Sequence, residues 1–132
     1  MFTEFSVKTE ARQDLYEITH RVREIVRTSG IPEGVCVISI PHTTAGVILN
    51  ENWDDTVRQD LVRALDAIVP PALGYRHAEG NSPAHIKALL IGSSECVIIH
   101  NGRLLLGNWQ GIYLAEFDGP RLRRVCIKII AG

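Results

Sequence analysis

Apolar and polar residues alternate over residues 3–8, which is the period-two pattern of a half-buried β-strand. From Asp14 to Thr28 the period becomes helical, because the apolar residues fall on one stripe of a helix. That stripe consists of Leu15, Ile18, Val22, Ile25 and Val26. The segment Ser29-Gly30-Ile31-Pro32 ends it, with Gly just past the helix and Pro beyond. The pattern therefore predicts a strand followed by a helix.

Two apolar runs, Val35–Ile40 and Val47–Leu49, predict strands on either side of the loop His42-Thr43-Thr44-Ala45-Gly46. The acidic residues 50–55 precede a second helical stripe, which Pro70-Pro71 ends. Its members are Val57, Leu61, Val62, Leu65 and Ile68. Residues 74–83 are polar and contain glycine, so they predict a loop. A short third helix follows, with Asn81 or Ser82 as N-cap, Pro83 in first position and Gly92 after its end.

The last third of the chain contains four strand-like runs, over residues 96–99, 104–106, 109–117 and 122–130. Asn101-Gly102 predicts a tight hairpin between the first two runs. Asp118-Gly119-Pro120-Arg121 predicts the turn that joins the last two. With no internal repeat or linker, residues 1–132 predict one α+β domain, with a mostly antiparallel sheet and three helices on one side.

The composition of the 132 residues, 45% hydrophobic and 22% charged, is that of an ordinary globular domain. A net charge of -1 lacks the cationic excess expected of a nucleic-acid binder. No apolar run is long enough to cross a membrane, and we expect no signal peptide. Cys36, Cys96 and Cys126 form no CxxC and lie in apolar runs, so we expect buried, unpaired thiols and a cytoplasmic location.

The five histidines fall into two groups. His20 lies off the apolar stripe of its helix, and His100 precedes the Asn-Gly turn, so both are expected to be exposed or structural. His42, His77 and His85 lie at a strand end, in a loop and at a helix start, where scaffolds display functional groups. Three imidazoles are able to form a zinc-like site with an open position. Separate hydrogen-bonding roles remain the alternative, because no HxxxH or HExxH pattern is present.

The start of the third helix is a second candidate for chemistry. With Pro83 in first position, His85 lies in the first turn, where the helix dipole favours anions and the neutral imidazole that a metal requires. The backbone donors after Asn81 and Ser82 suit a phosphate or diphosphate group. The alternative is that both residues only cap the helix.

Carboxylates near these histidines supply candidate bases. Glu79 lies in the loop of His77 and is able to bind a metal or to act as a base, and Glu51 is the other candidate. Gln110 and Glu116 share one face of their strand but are separated by roughly 20 Å at the strand rise. We therefore expect at least one of them to be structural or to serve a neighbouring subunit. No GxSxG, Walker or Rossmann motif is present.

Several segments together resemble the YjbQ family, whose members are often labelled secondary thiamine-phosphate synthases. The resemblance rests on HTTAGVILNE at 42–51, Asp55 and Asp60 in a D-x4-D pattern, YRHAEGNSPAHIKALLIG at 75–92, GRLLLGNWQGI at 102–112 and EFDGPRLRRV at 116–125. It spans nearly the whole chain, with the motifs in the family's order. Asn108 departs from the family pattern, which more often has Thr there.

The resemblance implies a compact α+β fold, a cyclic homotrimer and a site near the subunit boundary. It implies a divalent metal ion at His42, His77 and His85, with Thr43, Asn81 and Ser82 beside it to bind substrate. Imidazole ligands favour a zinc-like ion, whereas diphosphate chemistry usually uses Mg²⁺ with carboxylates.

The family's named activity joins a hydroxymethylpyrimidine diphosphate to a thiazole phosphate and releases diphosphate, as a weak transferase activity. His42 and Glu79 are the expected catalytic residues, and Lys87 or Arg121 would assist the leaving diphosphate. Two alternatives stay open. One is a metal-dependent hydrolase with Glu79 or Glu51 as base, and the other is a non-catalytic trimeric protein that binds a small anion.

Overall fold

Eight strands form two antiparallel sheets in the computed structural model, which describes residues 1–132. The larger sheet has the order β1-β8-β3-β5-β6, and the smaller has the order β2-β7-β4. The α+β prediction with three helices is confirmed. In chain order the elements are β1 (Phe2–Lys8), β2 (Asp14–Glu17), α1 (Thr19–Ser29), β3 (Gly34–Ser39), β4 (Ala45–Glu51), α2 (Asp55–Ile68), α3 (Ser82–Ile91), β5 (Ser94–His100), β6 (Arg103–Leu104), β7 (Gln110–Glu116) and β8 (Leu122–Ala131).

The main core lies between the two sheets. Ile38 and Ile127 from the larger sheet pack in one cluster with Leu114 from the smaller sheet. Helix α1 adds Val22 and Val26 to this cluster and contacts both sheets. Its last turn ends at Gly30, whose φ of 68° is the left-handed conformation that glycine favours.

A second core lies on the outer face of the smaller sheet, where α3 packs Ala84 and Ala88 against Tyr113 and Ala115 of β7. Strand β7 is therefore covered on both faces. The expectation that the helices lie on one side holds for the larger sheet, whose outer face is exposed at Phe2, Ile98 and Ile130. The smaller sheet lies between α1 in the main core and α3 in the second core. None of the three helices is both long and apolar enough to cross a membrane.

Residues 14–17 form strand β2 instead of the predicted first turn of a helix. Asp14 pairs with Glu116 and Glu17 pairs with Tyr113 of β7. Leu15 is buried in the second core, whereas Tyr16 packs against the main core on the opposite face. A strand directs alternate side chains to opposite faces, which lets these four residues contact both cores. The hydrogen bonds to β7 outweigh the helical spacing of the apolar residues in the sequence.

The two predicted turns have different outcomes. The two-residue hairpin at Asn101-Gly102 is confirmed, with φ of 52° and 75° at the two positions and His100 paired with Arg103. The turn over residues 118–121 does not join paired strands, because β7 belongs to the smaller sheet and β8 to the larger one. It carries the chain from one sheet to the other.

The cysteines are all unpaired, as expected, but only Cys36 is buried. Burial raises the pKa of the Cys36 thiol to about 11. The expectation of burial is wrong for Cys96, which is exposed. The alternation of β5 directs Val97 and Ile99 into the core, and Cys96 points to the opposite, uncovered face.

Candidate functional site

Three segments that are distant in sequence meet around one hollow of about 480 Å³. They are the β3–β4 connection, the loop and first turn of α3, and the β7–β8 turn with the start of β8. No hydrophobic side chain lines this histidine hollow apart from the ring of Pro41. The polar lining residues are His42, Thr43, Thr44, His77, Glu79, Asn81, His85, Asp118, Arg121 and Arg123.

The pairing of the smaller sheet explains why these segments meet. Ala45 at the start of β4 pairs with Glu116 at the end of β7, so the loops beyond them leave the same edge. Helix α3 lies directly against β4 at Gly46, where an added Cβ would be 2.5 Å from the carbonyl oxygen of Gly92. The backbone N–H of Val47 donates to that same oxygen. A side chain at position 46 would push α3 away from the sheet edge.

His42 is held by the backbone of β8. The backbone N–H of Arg124 donates to Nε2 of His42 at 2.9 Å. Partial burial and the neighbouring Arg123 guanidinium lower the pKa of His42, which favours the neutral ring. A neutral imidazole that accepts at Nε2 carries its proton on Nδ1. His42 therefore has an N–H donor to offer a ligand, and its only lone pair is already used.

His77 and His85 form an edge-to-face pair, with ring centroids 5.4 Å apart and planes at 85°. These two rings have lone pairs that could bind a metal. No group of three or more His, Cys, Asp or Glu side chains has an arrangement that could hold a metal ion. The structure thus brings the three predicted ligands to one hollow, but it does not place them as a ready three-ligand set.

Asn81 occupies the N-cap position of α3 without capping it. Its Nδ2 donates to Oδ2 of Asp118 at 2.8 Å, which connects the start of α3 to the β7–β8 turn. Its Oδ1 is buried and has no partner in the chain. The predicted N-cap position is therefore confirmed for Asn81, but its side chain makes no capping hydrogen bond.

Two carboxylates and two guanidinium groups line the histidine hollow, so its formal charges balance when the imidazoles are neutral. Asp118 forms an ion pair with Arg121 at 3.0 Å. Burial alone would raise the pKa of Asp118, but hydrogen bonds from Asn81 and Arg121 outweigh it and hold the pKa below its usual value. The hollow becomes cationic only when imidazoles take up protons or when a cation binds.

A buried ion pair between Glu116 and Arg123 supports one wall of the histidine hollow. Thr9 donates to Oε1 of Glu116 at 2.7 Å, and Arg123 also donates to the hydroxyl of Thr44 at 2.8 Å. Gln110 accepts from the backbone N–H of Gly107 at 2.8 Å. Both Gln110 and Glu116 therefore have partners within the chain, and their separation no longer supports a role in a neighbouring subunit.

The structure does not place Lys87, a predicted substrate-binding residue, in the histidine hollow. Its side chain is buried and donates to Asp66 of α2 and to Gln13, which ties α3 to the rest of the chain. Residues two apart on a helix face different sides, so His85 and Lys87 do not share the histidine hollow. Sequence alone could not tell which of the two sides of α3 would be covered by α2.

The other predicted site residues are placed as follows. Glu79, Thr43 and Arg121 line the histidine hollow, while Ser82 lies in a shallow hollow next to His77 and His85. Glu51 is at the far end of β4, roughly 20 Å along the strand at its usual rise, and is not part of the hollow. Sequence reasoning missed Thr44, Arg123 and Asp118, the last of which it assigned only to a turn. The signals for the first two were the second Thr of the HTT segment and the arginines of RLRR.

Comparisons of the sequence with a family model and with known proteins all point to the same family. A family model described as UPF0047 protein YjbQ-like matches residues 3–132. A UPF0047 protein from Methanocaldococcus jannaschii is 45% identical over 130 residues, covering 98% of this chain and 94% of that protein. UPF0047 protein YugU from Bacillus subtilis is 44% identical over 131 residues, covering 98% and 99%.

Solved structures agree with these relatives. An uncharacterised conserved protein of the YjbQ/UPF0047 family from Clostridium acetobutylicum is 51% identical, with a TM-score of 0.95 over 97% of this chain and 99% of that one. A protein of unknown function from Sulfolobus solfataricus is 31% identical, with a TM-score of 0.96 over 100% and 97%.

Proposed function

Because the chain belongs to the YjbQ-like UPF0047 family, we propose that it is an enzyme that acts on a small phosphorylated substrate in the histidine hollow. One observation carries the proposal. Three imidazoles, Arg121 and the start of α3 come from three distant segments and converge on one polar hollow. A polar hollow that offers imidazole and guanidinium donors suits a charged, phosphate-bearing ligand.

The reaction that we propose is the transfer named for the family, in which a hydroxymethylpyrimidine diphosphate joins a thiazole phosphate and diphosphate leaves. Negative charge grows on the departing diphosphate, so donors aimed at it lower the barrier. Arg121 and the Nδ1–H of His42 are donors that line the hollow. In this transfer the thiazole nitrogen forms a bond to the methylene carbon of the pyrimidine as the C–O bond to diphosphate breaks, so no base is required. Glu79, which also lines the hollow, would act as a base only in the alternative hydrolysis.

We also propose a divalent metal ion, with His77 and His85 as its ligands from this chain. Imidazole donors favour a zinc-like ion, and a diphosphate substrate would favour Mg²⁺. Such an ion would neutralise charge on the phosphate groups when bound. His42 is not counted as a ligand, because its Nε2 accepts from Arg124.

An assay that separates transfer, hydrolysis and binding without catalysis tests this proposal. The protein is incubated with both substrates and then with each alone, and release of diphosphate and of phosphate is followed. The transferase predicts diphosphate release only with both substrates, and loss of that release in His85→Ala but not in His20→Ala, whose residue is exposed.

The other outcomes favour the alternatives. Phosphate release from a single substrate, lost in Glu79→Gln, would favour the hydrolase for which Glu79 is the base. Binding of a substrate without turnover would favour the alternative of a non-catalytic anion-binding protein. Absence of both binding and turnover, with every substrate and metal supplied, would refute a phosphorylated substrate.

We propose further that the chain assembles as a homotrimer. Leu89 and Leu90 on α3 are 79% and 54% exposed, and Leu89 lies beside His42 and His85 in a hollow next to the histidine hollow. Burial of such side chains against a second copy would remove apolar surface from water. Sedimentation equilibrium at micromolar concentration would return three chain masses, and a monomer would contradict the proposal.

The proposed location is the cytoplasm. Support comes from Cys36, Cys96 and Cys126, which are all unpaired. Free thiols are typical of a reducing compartment.

A further inference from the structure

A second hollow, of about 550 Å³, lies between α1 and the β5–β6 hairpin. It shares no residue with the histidine hollow. Three arginines dominate its lining, which consists of Arg23, Arg27, Asn101, Gly102, Arg103 and Leu104. We refer to these six residues as the arginine hollow.

The charges of the arginine hollow are not balanced within the chain. Arg27 forms an ion pair with Glu24. Arg23 and Arg103 form no ion pair or side-chain hydrogen bond with any group of the protein, whereas most other arginines do. Two unpaired guanidinium groups therefore face one hollow in a chain whose net charge is -1.

The backbone on both sides of the arginine hollow is held in place. Arg23 and Arg27 are four residues apart on α1 and so share one face of that helix. Val22 and Val26 on the other side of α1 are buried in the main core. The opposite wall is the hairpin, where the N–H of Gly102 donates to the carbonyl of Pro32 at 2.9 Å.

The three arginines are exposed around one hollow, and an anion placed between them would accept charge-assisted hydrogen bonds from each guanidinium group. The three guanidinium groups carry three positive charges, whereas a single phosphate group carries about 1.5 to 2 negative charges at pH 7. A ligand with two or more phosphate groups matches this charge better. The charges are confined to one hollow, which differs from the extended basic surface that a nucleic acid requires.

We propose that the arginine hollow binds a small anion that carries two or more phosphate groups. This site is separate from the histidine hollow and does not depend on the function proposed for it. Arg23 and Arg103 are the principal residues that contact the anion. Arg27 also contacts it when the anion takes the place of Glu24 in the ion pair with Arg27.

Isothermal titration with inorganic tripolyphosphate at low ionic strength tests the proposal. Arg103→Gln and Arg23→Gln should each weaken binding about tenfold, since each removes a charge-assisted contact. Arg63→Gln is the matched control, because Arg63 is exposed on α2 and makes no ion pair. His85→Ala is the control for binding in the histidine hollow. Both controls should keep the affinity of the unaltered protein for this site.

Four outcomes would overturn the proposal. The first is an unaltered protein that does not bind tripolyphosphate. The second is a loss of all binding in His85→Ala, which would place the anion in the histidine hollow. The third is equal weakening by Arg63→Gln, which would indicate nonspecific attraction. The fourth is tighter binding of a short single-stranded oligonucleotide than of tripolyphosphate, which would indicate a nucleic-acid surface.

Discussion

Removal of the Glu116 carboxylate should destabilise this protein strongly. Glu116 is fully buried, accepts from Arg123 and Thr9, and joins the end of the smaller sheet to the start of β8 in the larger one. In Glu116→Gln the Arg123 guanidinium, which is 3% exposed, stays buried without a counter-charge. Breaking a buried pair in this way costs about 3–5 kcal/mol, a large part of the stability of a typical domain.

Urea unfolding, followed by circular dichroism, measures this free energy difference. The matched control is Glu24→Gln, which removes the same charge from an exposed pair with Arg27. Exposed pairs contribute about 0–1 kcal/mol, so the control should unfold almost like the unaltered protein. A loss below about 1 kcal/mol in Glu116→Gln would refute the argument that this pair joins the two sheets.

The same pair predicts a dependence of stability on pH. Burial would raise the pKa of Glu116, but hydrogen bonds from Arg123 and Thr9 outweigh it and lower the pKa. A carboxyl with a lower pKa in the folded protein contributes stability above its unfolded pKa of about 4.3. That contribution is lost as the pH falls through the folded pKa. Between pH 7 and acidic pH, Glu116→Gln should therefore lose less stability than the unaltered protein does.

Three further predictions concern other groups. Lys87→Met should destabilise the protein by about 1–3 kcal/mol in urea unfolding, because the buried partner of Asp66 is lost. If Lys87→Met lost substrate binding and kept the stability of the unaltered protein, Lys87 would instead be a substrate-binding residue. In a thiol titration of native protein, Cys96 should react rapidly and Cys36 only after unfolding, since Cys36 is buried and its pKa is about 11. Rapid reaction of three thiols in native protein would contradict this. Elemental analysis after metal loading should find less metal in His77→Ala than in the unaltered protein, and full occupancy there would exclude His77 as a ligand.

Local pattern was sufficient for much of the fold. Alternation predicted β1, and the proline and glycine positions predicted the C-terminal ends of all three helices. Asn101-Gly102 predicted a two-residue hairpin because that turn requires positive φ at both positions. These features depend on a few neighbouring residues, so the sequence contains the information directly.

Part of the histidine hollow was also predictable. His42, His77 and His85 were selected because they lie at the ends of elements, and the structure places all three around one hollow. Their roles were not predictable, because they depend on partners distant in sequence. The N–H that occupies Nε2 of His42 belongs to Arg124, 82 residues away.

The sequence by itself thus determined most element types, where each helix stops, the hairpin and which histidines were candidates for the site. Tertiary structure alone decided that residues 14–17 form a strand, that Lys87 is buried against Asp66, and that Glu116 and Arg123 join the two sheets. The physical reason is that periodicity shows which residues share a face but not what covers that face. Burial, ion pairing and the pKa of a side chain depend on contacts that exist only after the two sheets and three helices have packed.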